Sequence, residues 1–192
     1  IYDRTISTFS KENRKKLKKA YKLQKAISKK SKDLKNDVYK TIESFKGDVL
    51  ESAPYYVQVL DYLREITHAL HFVVKPTFDH LNNNHKPFIQ EQFNELNAIS
   101  SKLIQFLNSI IDAVKKDEFE NIDYIVNSQQ NLIDFIDNSR KNQIKRIKNK
   151  EVGTKNSLLF LNILQETKNI SLYSLNLFKS QRDFIQSQIS DG

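Results

Sequence analysis

DYLREITHALHFVVKP, residues 61–76, is the stretch on which the reading of this chain turns. It reads as a helix and carries the acids Asp61 and Glu65, the histidines His68 and His71, and Arg64. Side chains three or four residues apart share a helix face. The stretch is therefore either a metal site or the polar seam of a helical bundle. Its surroundings favour helices throughout. Glycine and proline number three each in 192 residues, about a quarter of ordinary usage. Strands joined by tight turns need both residues, so the composition points to long helices and few turns.

The helix holding this stretch is the second of the chain. Ser52 suits its N-cap and Pro54 its first turn. Pro76 is expected to kink or end it, because proline lacks a backbone donor and clashes with the preceding turn. Upstream, Leu17, Tyr21, Ile27, Leu34, Val38, Ile42 and Phe45 recur at helical spacing. They predict a first helix over about 8–46, with Gly47 just past its end. Downstream, NNNHK (82–86) is a turn and Pro87 opens a third helix. The apolar stripe of that helix is Phe88, Phe93, Leu96, Ile99, Leu103, Phe106, Leu107, Ile110 and Val114. A turn at KKDEFE (115–120) leads to a fourth helix marked by Phe119, Ile122, Val126, Ile133, Ile136 and Ile147 and ending near 149. Gly153 and Thr154 are the stop and the next cap, and a fifth helix runs over about 155–189. The expectation is an all-α, elongated antiparallel bundle of about five long helices, folded as one domain over 1–192.

Cysteine is absent, which excludes a disulfide framework and thiolate metal sites. No apolar run approaches the ~20 residues a membrane-spanning helix needs; the best, SLLFLNIL at 157–164, is too short. Methionine is also absent and the chain begins at Ile1, so a fragment of a longer protein is expected. The net charge is +8 and very uneven. Residues 11–32, KENRKKLKKAYKLQKAISKKSK, hold eleven Lys/Arg and one acid, a local +10, so the remaining 170 residues sum to about −2. Such a run suits either a solvated helix face or an anionic neighbour. The contact residues would be Arg14, Lys15, Lys16, Lys18, Lys19 and Lys22.

Glu65 and His68 form an E-x-x-H pair, the unit that di-iron bundles use twice together with two further glutamates. The matching place further on reads Glu166-Thr167-Lys168-Asn169, where asparagine cannot replace imidazole and Lys168 adds positive charge. A mononuclear site from Glu65 or Asp61 with His68 and His71 is the remaining metal option, and hydrogen-bonded structure is the preferred reading. Asp79, His80 and His85 flank the kink and turn and suit helix ends or a partner contact. There is no glycine-rich phosphate loop, no G-x-S-x-G, no H-E-x-x-H and no cysteine. The chain is not expected to be an enzyme or to hold a cofactor.

A weak internal repeat is visible. A shift of 101 residues lays VLDYLREITHALHF on FLNILQETKNISLY, matching Leu60 with Leu161, Leu63 with Leu164 and Glu65 with Glu166. Phe72 falls on Tyr173 and Asp33 on Asp134. The two units cover about 8–116 and about 118–190.

The repeat and the opening stretch together resemble the PhoU family, which has tandem three-helix repeats, each with a metal-binding E-x-x-x-D motif in a context like L-E-R-I-G-D. Leu63 to His68 fall on that motif, and so do Leu164 to Asn169. In register, the family glutamate becomes Arg64 and Gln165, and the family aspartate becomes His68 and Asn169. Both motifs are degraded, and arginine at a ligand position repels a cation, so the family's metal cluster is not expected here. Two full repeats have six helices, one more than the periodicity predicts.

The run YYVQVLDYLREITHALHFVVKPTFDHLNNNHKPF (55–88) is similar in more detail to the PhoU-like C-terminal domain of bacterial sodium/phosphate cotransporter proteins, particularly those of Bacteroidetes type. That resemblance implies a regulatory domain on the cytoplasmic face of the inner membrane. Such a domain would act in phosphate transport or its control through protein contacts. Its implied partners are the transmembrane part of the same polypeptide and anionic lipid, with a homodimer left open and no nucleic acid. The alternatives are a metal-binding bundle and an adaptor for a membrane or nucleic acid.

Overall fold

The computed structural model describes residues 1–43, 53–120 and 122–189, and among them all regular structure is helical. The helices are α1 (Tyr2–Ser10), α2 (Arg14–Asn36), α3 (Val38–Glu43), α4 (Ala53–Asn82), α5 (Gln90–Lys116), α6 (Ile122–Lys148) and α7 (Thr154–Ile189). No described helix is long and apolar enough to cross a membrane. The expected first-helix residues Phe45 and Gly47 and the expected cap Ser52 lie outside the described residues.

The single first helix expected over about 8–46 is corrected to three pieces. α1 ends at Ser10, where Glu12 takes a left-handed conformation, φ 50°. The backbone N–H of Asn13 then bonds Thr8 O at 2.9 Å, and that of Glu12 bonds Phe9 O at 2.9 Å. Asn13 caps α2 by accepting from Lys16 N at 2.9 Å. The same two-bond closure ends three other helices, with Asn84, Asp117 and Lys150 as the left-handed residues. Glycine normally fills that place. Here Glu, Asn, Asp and Lys fill it, which is why a search for glycine finds no break at residue 12.

Pro76 neither ends nor breaks α4, which runs on to Asn82. Proline leaves the carbonyl four residues back, that of Phe72, without its helical donor. The Asn162 amide of α7 donates to this carbonyl at 2.8 Å. Asn162→Ala is expected to cost about 0.5–1 kcal/mol by removing a solvent-accessible bond to this carbonyl, and much less in a Pro76→Ala background, where the helix supplies its own donor. A double-mutant cycle by urea unfolding reads this difference; equal costs in both backgrounds would remove the link.

The third helix opens at Gln90, not at Pro87. Phe88 turns inward, buried, and its ring packs on that of Phe93 with centroids 5.6 Å apart. This hydrophobic staple fixes the entry of α5. Gln92 Oε1 accepts from Ile89 N at 3.2 Å. Pro87 stays in the loop, where its carbonyl accepts from Asn156 Nδ2 at 2.8 Å.

α4 and α7 form the longest helix contact and run antiparallel, since Phe72 meets Asn162 and Gln58 meets Ser180. α2 packs on α4, and α6 packs on α7. α1 lies against α2, α4 and α5, and α5 also packs on α6 and α7. One continuous core runs through these contacts, from Phe9, Leu17 and Val73 through Leu103 and Phe106 to Leu132, Phe160 and Phe178. Each such side chain contributes about 1.5–3 kcal/mol on burial. Ile27 and Leu34, placed by periodicity on the core stripe, are exposed instead, as are Val126 and Ile147. The described helices leave those flanks of α2 and α6 uncovered.

Candidate anionic-surface interface and the polar seam

The opening stretch lies on α4, and its residues Asp61, Thr67 and His71 meet α2. Asp61 accepts from Lys35 Nζ at 2.5 Å. His71 Nδ1 and Gln24 Oε1 are 3.1 Å apart, and Gln24 Nε2 donates to Thr67 O at 3.3 Å. Glu65 and His68 share a face with 4.0 Å between Oε2 and Nδ1, and the His68 ring sits edge-on to Phe72. Arg64 is exposed. Glu65, His68 and His71 therefore do not converge on one point, and no group of three metal-ligating side chains occurs among the described residues.

The second copy behaves in parallel. On α7, Gln165 accepts from Arg140 of α6 at 3.0 Å and donates to Asn169 at 3.1 Å. Asn169 in turn donates to Glu166 at 3.2 Å, and Lys168 reaches Asp137 of α6 at 3.5 Å. Gln129 of α6 donates to Ser171 O at 2.9 Å, much as Gln24 of α2 does to Thr67 O. Each seam thus joins a long helix to its own neighbour, α2 to α4 and α6 to α7. Along each seam one glutamine amide reaches a backbone carbonyl of the facing helix.

Asp79 pairs with Lys75 one turn away. His80 is buried and donates through Nε2 to Lys86 O at 2.9 Å, closing the α4–α5 turn. Phe9, Phe88 and His85 surround its ring. Burial lowers the pKa of His80 first; the bond to Lys86 O opposes this, and His85 and Lys155 add to the lowering. Burial also leads the lowering at His71, helped by His68, Lys75 and Lys25 and opposed by Asp79. A depressed histidine pKa means the unfolded chain binds more protons. The stability is therefore complete above the ordinary value of 6.5 and is lost as pH falls below it. Thermal unfolding from about pH 7.5 to about pH 5 is expected to show a falling Tm, with a shallower slope in His80→Asn. An unchanged slope in that variant would place the acid sensitivity elsewhere.

The basic run forms α2. Leu17, Ala20, Gln24 and Ser31 bury one side of it against the bundle. Lys15, Lys18, Lys22, Lys25 and Lys29 recur at helical spacing on the opposite side, all exposed. The row spans roughly 21 Å at the usual helical rise. None of these lysines has an acidic partner among the described residues. Lys25 Nζ lies 4.5 Å from the centre of the Tyr21 ring. Lys16 and Lys19, also exposed, lie off this row towards α1. Arg14 is tied to Asn84 in the α4–α5 turn and belongs to the corner. Leu23, Ile27 and Leu34 form an exposed apolar row one turn from Lys19 and Lys30. Lys25 and Lys29, omitted from the expected contact set, were legible from the same spacing. Arg4 was not, because α1 itself was missed.

No protein-family model matches the chain, and no curated protein or solved structure matches it.

Proposed function

We propose that this chain is a non-catalytic regulatory domain of the PhoU-like kind, belonging to a bacterial sodium-dependent phosphate transporter and working at the cytoplasmic face of the inner membrane. The observation that carries the reading is the parallel construction of two helix pairs. α2 on α4 and α6 on α7 each have a glutamine-to-carbonyl bond across the seam, and the pairs join where α4 passes α7. Adding α1 to the first pair and α5 to the second gives two three-helix groups, a division that differs from the expected units of about 8–116 and about 118–190 by placing α5 with α6 and α7. The family's metal positions carry Arg64, His68, Gln165 and Asn169; Gln165 and Asn169 are engaged in hydrogen bonds, and Arg64 and His68 are exposed. The domain would therefore act through contacts and not through a bound metal.

The lysine face of α2 supports a position beside a membrane. Each lysine near an anionic lipid surface contributes about 1 kcal/mol, and the apolar row at Leu23, Ile27 and Leu34 suits a lipid interface more than a nucleic-acid backbone. The test is fractionation of the native host with an antibody against this domain, followed by sizing. A much larger protein in the membrane fraction is the expected result. A soluble protein of about the mass of this chain, 22.5 kDa, would end the transporter reading. Deleting the domain from the full-length protein should then alter phosphate uptake or its control.

A further inference from the structure

The corner between α1 and α2 forms a solvent-open concavity of about 410 Å³, lined by four exposed cations, that the proposed function does not use. Arg4 and Lys11 reach it from α1 and the loop beyond, and Lys16 and Lys19 reach it from the first turns of α2. Arg4 stands on α1 and Lys11 just past its end, so the corner brings charge from α1, its C-cap and α2 onto one concavity. The geometry points to a binding pocket for an anion that carries more than one phosphate group.

The charge balance is the first argument. No carboxylate lines the cavity. The nearby acids are turned away: Asp3 accepts from Ser100 of α5 at 3.1 Å, and Glu12 is exposed outside the lining. None of the four cations has an acidic partner among the described residues. Like charges gathered around a concavity focus a positive potential there, and a bound anion relieves their repulsion.

The second argument is the rigidity of the corner. Asn13 N to Thr8 O, Glu12 N to Phe9 O and the Asn13 side chain on Lys16 N hold it, and fully buried Leu17 and nearly fully buried Phe9 anchor it from beneath. Ser7 and Thr8 form part of the wall but spend their hydroxyl protons on Arg4 O, so the cations are what recognise the ligand. Ligand pockets usually have volumes of ~300–1,000 Å³. This one is roomier than a single phosphate fills, and its four positive charges match a diphosphate better. A soluble polyphosphate and a lipid headgroup with two phosphates share this chemistry.

The test uses the 192-residue chain and two probes. Calorimetry with inorganic pyrophosphate reads the soluble source. Vesicles containing cardiolipin, compared with phosphatidylglycerol vesicles of equal surface charge, read the lipid source. Arg4→Gln with Lys16→Gln should weaken pyrophosphate binding at least about tenfold, the loss expected for charged hydrogen bonds. Lys141→Gln with Lys148→Gln removes the same charge from exposed positions of α6, which belong neither to the pocket lining nor to the lysine face of α2, and should change it by no more than roughly twofold. Ser7→Leu keeps every charge, narrows the concavity with an apolar group and should also weaken binding. If pyrophosphate does not bind but a cardiolipin preference disappears only in the Arg4/Lys16 and Ser7 variants, the ligand is the lipid headgroup. Equal losses in the two charge variants, or no pocket-dependent response to either probe, would overturn the proposal. Fractionation of the host protein cannot produce these outcomes, so the pocket and the transporter reading stand or fall separately.

Discussion

Glu95→Leu is expected to be among the most damaging single substitutions in this chain, costing about 3–5 kcal/mol. Glu95 of α5 receives two N–H groups from the Arg146 guanidinium of α6, at 2.6 and 2.9 Å. Their side chains are only 14% and 10% exposed. Arg146 also donates to Gln143 Oε1 at 3.3 Å and lies 5.9 Å from the centre of the Phe160 ring. A chain of buried amides continues from there. Gln92 donates to Gln143 at 3.0 Å, and Gln143 donates to Ser157 at 3.1 Å. The network thus joins α5, α6 and α7 at one end of the bundle. Removing the carboxylate leaves a guanidinium buried without its counter-charge, which is why the cost exceeds the net value of the pair itself. Replacing both partners, Glu95→Leu with Arg146→Met, should restore most of the loss, because neither charge then has to be desolvated. Urea unfolding followed by helix circular dichroism reads both variants. The single substitution should also lower Tm by on the order of 10 °C. A cost below about 1 kcal/mol, the range of an exposed pair, would show that water reaches it.

Exchanging Lys15, Lys18, Lys22, Lys25 and Lys29 together for glutamine should nearly abolish binding to anionic vesicles while leaving the fold intact. At about 1 kcal/mol per lysine near the surface, the loss is on the order of a thousandfold or more. The five side chains are exposed and have no acidic partners among the described residues, so stability should change little. Wild-type binding should also weaken steeply with salt, since the Debye length shrinks from about 10 Å at 0.1 M to about 3 Å at 1 M. Vesicle flotation with anionic and neutral lipid, at low and high salt, reads all of this. Undiminished binding by the five-fold variant would separate α2 from the membrane, and equal binding to DNA would favour the adaptor alternative.

The candidate interface was largely legible in the sequence and the seam only partly so. A lysine run with apolar residues at helical spacing determines an amphipathic basic helix, whatever it packs against. The scarcity of glycine and proline likewise determines an all-helical chain, and NNNHK and KKDEFE determine two of its turns. The degraded motif positions were readable too, because Arg64 and Asn169 are unsuitable ligands on chemical grounds alone.

What the sequence could not decide depended on groups distant along the chain. Pro76 looks like a helix end until Asn162, ninety residues on, supplies the missing donor. Ile27 and Leu34 look like core until the described helices leave their side of α2 open. The break at Glu12 leaves no glycine to read, because Asn13, Thr8 and Phe9 hold a left-handed glutamate in place through backbone bonds. Local spacing determined which residues are helical and which carry charge. Tertiary packing decided which helix faces are covered, where His71 and Asp61 find their partners on α2, and that Arg4 and Lys16 meet at one corner. Periodicity is a property of one helix, whereas burial and pairing belong to the neighbours it acquires on folding.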